Sequence, residues 1–190
     1  TYDFVIRKDA KFSDGTAITA DDVVFTIEKA QDPALKSPEY ANWSGIAVRA
    51  VDTRTVEFTL SKPYAPFIEN TTLGILPSHL WRAVADEEFP FSTLNAEPVG
   101  SGPFKVSSVS RDKSGIVSEY DLSANKYYPL GRPYLSGFHF VFFSEMQDLV
   151  AALKAGDAES AYCFPGTAAL TAPYLRVFGV FFNPNQNAAF

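Results

Sequence analysis

Tyr2, Phe4 and Ile6 alternate with Asp3, Val5 and Arg7, a period-two pattern that predicts a strand at the start of the chain. Lys11-Phe-Ser-Asp-Gly15 closes on Asp-Gly, a turn signal. The period then changes. Ala20, Val23, Val24, Ile27 and Ala30 recur at helical spacing, Thr19 stands at the N-cap position, and Asp21 and Asp22 fall in the first turn, where the helix dipole favours negative charge. A helix over 20–31 follows, stopped by Asp32-Pro33. Strands are expected at 46–51 and 54–60, turned by Asp52-Thr53, with a loop carrying Tyr40 and Trp43 before them.

Further along, the pattern predicts a second helix over 64–70, a short apolar strand at Leu73-Gly-Ile-Leu76 and one or two helical turns over 79–85. Periodicity disappears from Asp86 to Pro98, which marks the expected domain boundary. Strands over 104–109 and 116–122 flank an Asp112-Lys-Ser-Gly115 turn. Phe138 to Phe143 carries rings on both faces, so this strand is expected to be central and buried. The last clear helix runs from Ser144 to Ala155. Ser144 and Gln147 are placed to form a capping box, Met146, Leu149, Val150 and Leu153 the apolar stripe, and Gly156 the C-cap. Strands mixed with helices give a mixed α/β chain, expected in two lobes.

Composition narrows the chemistry. The 190 residues carry a net charge of −6, so no surplus of basic charge is present to neutralise nucleic-acid phosphates. No apolar run approaches the roughly 18 residues of a membrane-spanning helix. The single Cys rules out an internal disulfide, and with two His it does not make an ordinary zinc site. No metal or other cofactor is expected.

Catalytic signatures are sparse. A Gly-x-Ser-x-Gly elbow and a phosphate loop are both missing, and Gly100-Ser-Gly102 reads as a turn. His79 and His139 lack the neighbours of a recognisable triad and are assigned structural roles; Cys163, between Tyr162 and Phe164, reads as a packed thiol. The 17 Phe, 9 Tyr and 2 Trp are the remaining signal. Most belong to the core. Tyr40 and Trp43 stand in a loop, where a large ring needs either a pocket or a ligand, and the residues alone leave both open. Aromatic strand patterns close to Thr1 and Phe190 lead us to expect a segment of a longer polypeptide, so the lack of a signal peptide carries no weight on compartment.

Several segments, in order, resemble the extracytoplasmic solute-binding proteins of the peptide/nickel ABC-transporter family (family 5). They are Tyr2-Asp-Phe-Val-Ile-Arg-Lys-Asp-Ala-Lys-Phe-Ser-Asp-Gly15 with Ile18-Thr-Ala-Asp-Asp-Val-Val-Phe25, then Val51-Asp-Thr-Arg-Thr-Val-Glu-Phe-Thr-Leu60 with Pro63-Tyr-Ala-Pro-Phe67. Pro98-Val-Gly-Ser-Gly-Pro-Phe-Lys105, Asn125-Lys-Tyr-Tyr128 with Pro133-Tyr-Leu135, Leu149-Val-Ala-Ala-Leu-Lys-Ala-Gly-Asp157 and Phe181-Phe-Asn183 follow. The resemblance covers essentially the whole chain.

It implies a partial periplasmic binding protein-like type II (class C) fold of mixed α/β type. Residues 1–97 would match the small extra lobe and 98–190 the central part of the first main lobe, with the second main lobe absent. The implied function is capture of a peptide, or a similar small solute such as nickel, an opine or a sugar, and delivery to an ABC permease. The implied setting is periplasmic or extracytoplasmic, with no enzymatic turnover. Carried over by position, the implied ligand-binding residues are Tyr40, Asn42, Trp43, Phe181 and Asn183. Two other readings remain: a self-contained aromatic-rich module that binds a glycan or a protein partner through Tyr40 and Trp43, and an enzyme built from His79 or His139 with distant carboxylates. For the segment itself, loss of the opposing lobe is expected to uncover apolar surface along the strands near 138–143 and 178–182, which predicts self-association or a rearrangement there that covers the gap.

Overall fold

A computed structural model describes residues 1–161. It divides into two compact units, one over 1–142 and one beginning at Phe143. In the first unit, strands β1 (Tyr2–Val5), β2 (Ala47–Ala50) and β3 (Thr55–Thr59) form an antiparallel sheet in the order β1-β3-β2. Helix α1 (Ala20–Gln31) precedes β2, and the single-turn helices α2 (Tyr40–Trp43), α3 (Phe67–Asn70) and α4 (Ser78–Trp81) fill the connections. A second antiparallel sheet follows, β4 (Phe104–Arg111), β5 (Val117–Ala124) and β6 (Gly137–Val141), in the order β4-β5-β6.

Helix α1 forms where the apolar spacing and the Thr19 cap predict it. The buried Asp22 carboxylate closes the entry: its Oδ2 accepts the Thr19 backbone N–H at 2.8 Å and the Thr19 hydroxyl at 2.9 Å. Its inward face buries Ala20, Ile27 and Ala30 with Val56 and Phe58 of β3, Trp43 of α2 and Phe67 of α3, which together make the core of the first sheet. Phe58 carries this cluster, with ring centres 5.7 Å from Trp43 and 5.5 Å from Phe67. Lys29, at the end of α1, is ion-paired with Asp86 in the 3-10 turn Asp86–Phe91.

The Asp14-Gly15 turn reaches the second sheet's approaches. Gly15 has φ +97°, and a Cβ added there would sit 2.9 Å from the Tyr127 hydroxyl, so the position demands glycine on both counts. The Ser13 N–H donates to the Gly100 carbonyl at 2.8 Å. Asn125, almost wholly buried, fastens the Gly-Pro turn that leads into β4. Its side-chain N–H donates to the Gly102 carbonyl at 2.9 Å, its Oδ1 accepts the Tyr127 N–H at 2.9 Å, and its own N–H donates to the Pro103 carbonyl at 2.8 Å.

Three expectations are corrected. The strand expected to be central and buried at 138–143 is β6, which among the described residues pairs with β5 alone at the edge of its sheet, with Phe138, Phe140 and Val141 exposed. Rings on both faces reported the strand's composition, while its rank in the sheet is set by which strands pair. Leu73-Gly-Ile-Leu76 forms no strand; the segment 71–77 runs without helix or strand, pinned by the Leu76 N–H donating to the Thr26 hydroxyl at 2.9 Å. The expected Ser144–Gln147 capping box does not form.

In the second unit the helix α5 (Met146–Ala155) starts two residues later than expected, with Glu145 at the N-cap position and no side-chain cap bond. Its other end is as expected: Gly156 adopts the left-handed conformation and its N–H bonds to the Leu153 carbonyl at 3.3 Å. Leu149, Val150 and Leu153 are half-buried. No helix among the described residues is long and apolar enough to cross a membrane.

Candidate functional site

The residues singled out from the sequence divide into those on α2 and those at the far end. Phe181 and Asn183, like Cys163, lie outside the described residues. The one-turn helix α2 is held from several sides. Gln31 Nε2 donates to the Trp43 and Ile46 carbonyls, both at 2.7 Å, and Asn70 Nδ2 donates to the Asn42 carbonyl at 3.1 Å. The Asn42 side-chain amide donates to Glu39 Oε2 at 2.9 Å.

The three α2 residues have different surroundings. Trp43 is 1% exposed and packs on Phe58 and Phe67, so its ring presents no surface for stacking against a sugar. Tyr40 is 40% exposed and Asn42 is exposed. The structure thus gives the alternatives left open for Tyr40 and Trp43 to different residues: a core anchor at Trp43, and an accessible ring at Tyr40. The Tyr40 phenol offers a stacking face, and the Asn42 carboxamide, held by Glu39, keeps its oxygen as a hydrogen-bond acceptor.

Two carboxylate–imidazole pairs were not legible in the sequence. His79 Nε2 lies 2.8 Å from Asp14 Oδ2, across 65 positions of chain. Burial pushes the Asp14 carboxyl up, but the Thr16 N–H and His79 outweigh it, and the net pKa is below the usual carboxylate value. Asp14 lines an open cavity of about 260 Å³ together with Ser13, Glu97, Val99, Lys105 and Val106.

On the second sheet, His139 Nδ1 lies 2.7 Å from Asp121 Oδ1, and the Ser108 hydroxyl donates to Asp121 Oδ2 at 2.6 Å. The Ser108 bond and then the His139 bond hold this carboxyl below its ordinary pKa. The order of contacts decides the chemistry. The carboxylate sits between serine and histidine, so the imidazole is not bonded to the hydroxyl it would have to deprotonate in a nucleophilic triad. Both pairs tie elements together: Asp14 in a turn to α4, and β5 to β6. No local signal reveals them, because neither histidine is near its partner in sequence. Among the described residues no group of three or more His, Cys, Asp or Glu side chains is placed to hold a metal ion.

Comparison with known proteins gives a match along nearly the whole chain. The family model for bacterial extracellular solute-binding proteins, family 5 Middle, matches residues 1–188. Protein XP55 of Streptomyces lividans is 31% identical over 172 residues, covering 89% of this chain and 30% of the relative. Among solved structures, NikZ from Campylobacter jejuni in complex with Ni(L-His) superposes with a TM-score of 0.69 at 30% identity, over 82% of this chain and 30% of that one. The oligopeptide-binding protein AppA of Bacillus subtilis, in complex with a nonapeptide, gives 0.69 at 31% identity, over 82% and 31%. The mixed α/β fold is that of these proteins, and the chain spans about a third of their length.

Proposed function

The chain belongs to the bacterial extracellular solute-binding proteins of family 5, and from that premise we propose that it is part of an ABC-transporter substrate-binding protein. It captures a peptide, or a small solute of similar handling such as a nickel chelate, on the extracytoplasmic side of the membrane and passes it to a permease. The observation that carries this reading is the collinear match over residues 1–188, with backbone superposition on AppA and NikZ over 82% of the chain.

Residues 1–97 form the small extra lobe and 98–190 the central part of the first main lobe; an opposing lobe comes from sequence outside this chain. The Tyr40 ring and the Asn42 amide face the ligand, with Trp43 as the buried support of their helix, and Phe181 and Asn183 contribute from the strand-like run at 176–183. The protein performs no chemistry on its cargo. Binding favours a closed arrangement of lobes, and the permease reads that arrangement. Ser108, Asp121 and His139 support this in one respect, since their contacts suit a structural tie better than a nucleophile.

Thermal shift tests it, with the full-length gene product and this chain run side by side against di- to pentapeptides, sugars, opines and nickel–histidine. Ligand at a hundredfold excess over Kd stabilises a folded receptor by about 2.7 kcal/mol. The expected result is a shift in the full-length protein with peptides and none in this chain. A shift in this chain alone would make it a self-sufficient binding module, and silence of the full-length protein to every class would overturn the receptor reading.

A further inference from the structure

Positive charge gathers in one place on this acidic chain. Residues 7–11 and 126–134 hold Arg7, Lys8, Lys11, Lys126 and Arg132 against Asp9 alone, a net of +4, while the whole chain carries −6. The fold brings the two segments together. Arg7 Nη2 donates to the Pro129 carbonyl at 3.2 Å, across 122 positions of chain. Lys11 and Lys126 both lie against the Tyr127 ring, with Nζ 5.4 and 4.8 Å from its centre. Asp9 is taken by Arg7 at 3.0 Å, and none of Lys8, Lys11, Lys126 and Arg132 has a carboxylate partner among the described residues.

Beside these cations, the loop between β5 and β6 holds three apolar side chains out in solvent. Leu130 is 70% exposed, Leu135 56%, and Tyr134 fully, at 109%. Single exposed apolar residues are ordinary; three on one loop, next to unpaired cations, mark an interaction surface. The loop is also tied down. Buried Asn125 fixes its start, Arg7 holds Pro129, and the Gly131 N–H donates to the Tyr128 carbonyl at 3.3 Å with Gly131 in the left-handed conformation. Leu130 lies within that closed turn, so it is presented rather than left loose.

We propose that this surface docks on a lipid bilayer bearing anionic headgroups. The lysines and Arg132 meet the headgroup charge, Leu130 and Leu135 enter the acyl boundary, and the Tyr134 ring sits at the level between, where aromatic rings with a polar tip are favoured. Lipid suits the patch better than an acidic protein does. A ring and two aliphatic chains that project from a turn need either a matching pocket or a fluid apolar medium, and a bilayer supplies the second without any fixed shape. Three of the four unpaired cations are lysines, point charges on long stems that lie along an apolar boundary, rather than the planar forks that pair with carboxylates two bonds at a time. The patch is separate from the surface offered by Tyr40 and Asn42.

Vesicle flotation tests this, with the full-length gene product and this chain run side by side on phosphatidylcholine vesicles with and without phosphatidylglycerol. Both proteins should bind the vesicles that contain phosphatidylglycerol, neither should bind phosphatidylcholine alone, and binding should weaken as salt is raised. Lys8→Ala and Lys126→Ala should each lower affinity about fivefold, the worth of one basic side chain at an anionic surface. Leu130→Ser with Tyr134→Ser should weaken binding further and leave its salt dependence in place. All four side chains are exposed, so these variants are expected to fold, and circular dichroism checks that they do. Tyr134→Trp adds an indole at the patch, and brominated lipid should quench its emission beyond any quenching of wild type.

Equal binding to the two kinds of vesicle would overturn the proposal, as would unchanged affinity in both lysine variants or an unquenched Trp at 134. Binding by this chain but not by the full-length product would show that further sequence covers the patch, and overturns it too. Binding to polyglutamate in place of vesicles would assign the surface to an acidic protein instead. None of these readouts uses a transported solute, so failure here is distinct from failure of the receptor reading.

Discussion

The Asp22 carboxylate, buried in the first turn of α1, accepts the backbone N–H of Ser78 at 2.9 Å and so ties the start of that helix to the start of α4. With the two bonds from Thr19, one side chain joins segments 56 positions apart. Burial alone would raise its pKa. The Ser78 and Thr19 donors more than offset this, and the carboxyl titrates below its ordinary value.

That depression sets a pH dependence. Because the folded pKa is below the unfolded one, the carboxylate's contribution is complete above the unfolded value near 3.9 and is lost as pH falls through the folded pKa. Asp22→Asn should destabilise the protein at pH 7 by about 1–3 kcal/mol, the usual cost of an unsatisfied buried group. The difference from wild type should narrow in urea melts taken downward from pH 5. A constant difference across that range would show that ionisation of Asp22 is not what stabilises the contact.

Gly15→Ala meets both a left-handed backbone and the Tyr127 ring, whose hydroxyl would lie 2.9 Å from the new methyl. A loss of about 1–3 kcal/mol is expected. Adding Tyr127→Phe removes the nearest clashing atom and should restore part of the loss, the backbone strain remaining. Full restoration in thermal melts would assign the whole cost to the clash.

His79→Ala removes one of the groups that hold the Asp14 carboxyl low. Its pKa should rise, yet not to that of a buried, unbonded carboxyl, because the Thr16 N–H still donates to it at 2.8 Å. Carbon-13 NMR titration of the side chain reads this directly. An unmoved titration would mean that the imidazole contact is not populated in solution.

Among the described residues β6 is the outer strand of its sheet, with Phe138, Phe140 and the following Phe142 exposed, the arrangement from which sheets recruit further chains. Light scattering of this chain should show mass rising with concentration, and Phe140→Lys with Phe142→Ser should suppress it. A monodisperse wild-type monomer at high concentration would count against association through this edge.

What the sequence made visible was local. Helix α1 has apolar positions, cap and stop all in one stretch from Thr19 to Pro33, and it formed as expected; so did the β4–β5 hairpin around Asp112-Lys-Ser-Gly115. The order of the second sheet did not show, because β6 carries the rings of a central strand and among the described residues is an edge, and pairing is a long-range choice. At the candidate site, Tyr40 and Asn42 are exposed as a surface role requires, while the burial of Trp43 depends on Phe58 and Phe67, 15 and 24 residues away. The Asp14–His79 and Asp121–His139 pairs were hidden for the same reason.

The buried Asn125 has a kinetic consequence. The Tyr127 amide belongs to no strand, yet its proton is held on the Asn125 carboxamide, whose other end is bonded beneath the Gly102-Pro103 turn at the head of β4. Deuterium cannot replace that proton while the turn stays in place, so this loop amide should exchange in step with the ladder between β4 and β5 and far more slowly than the nearby amides of Leu130 and Arg132. A single peak in a spectrum would then report how often the second sheet opens.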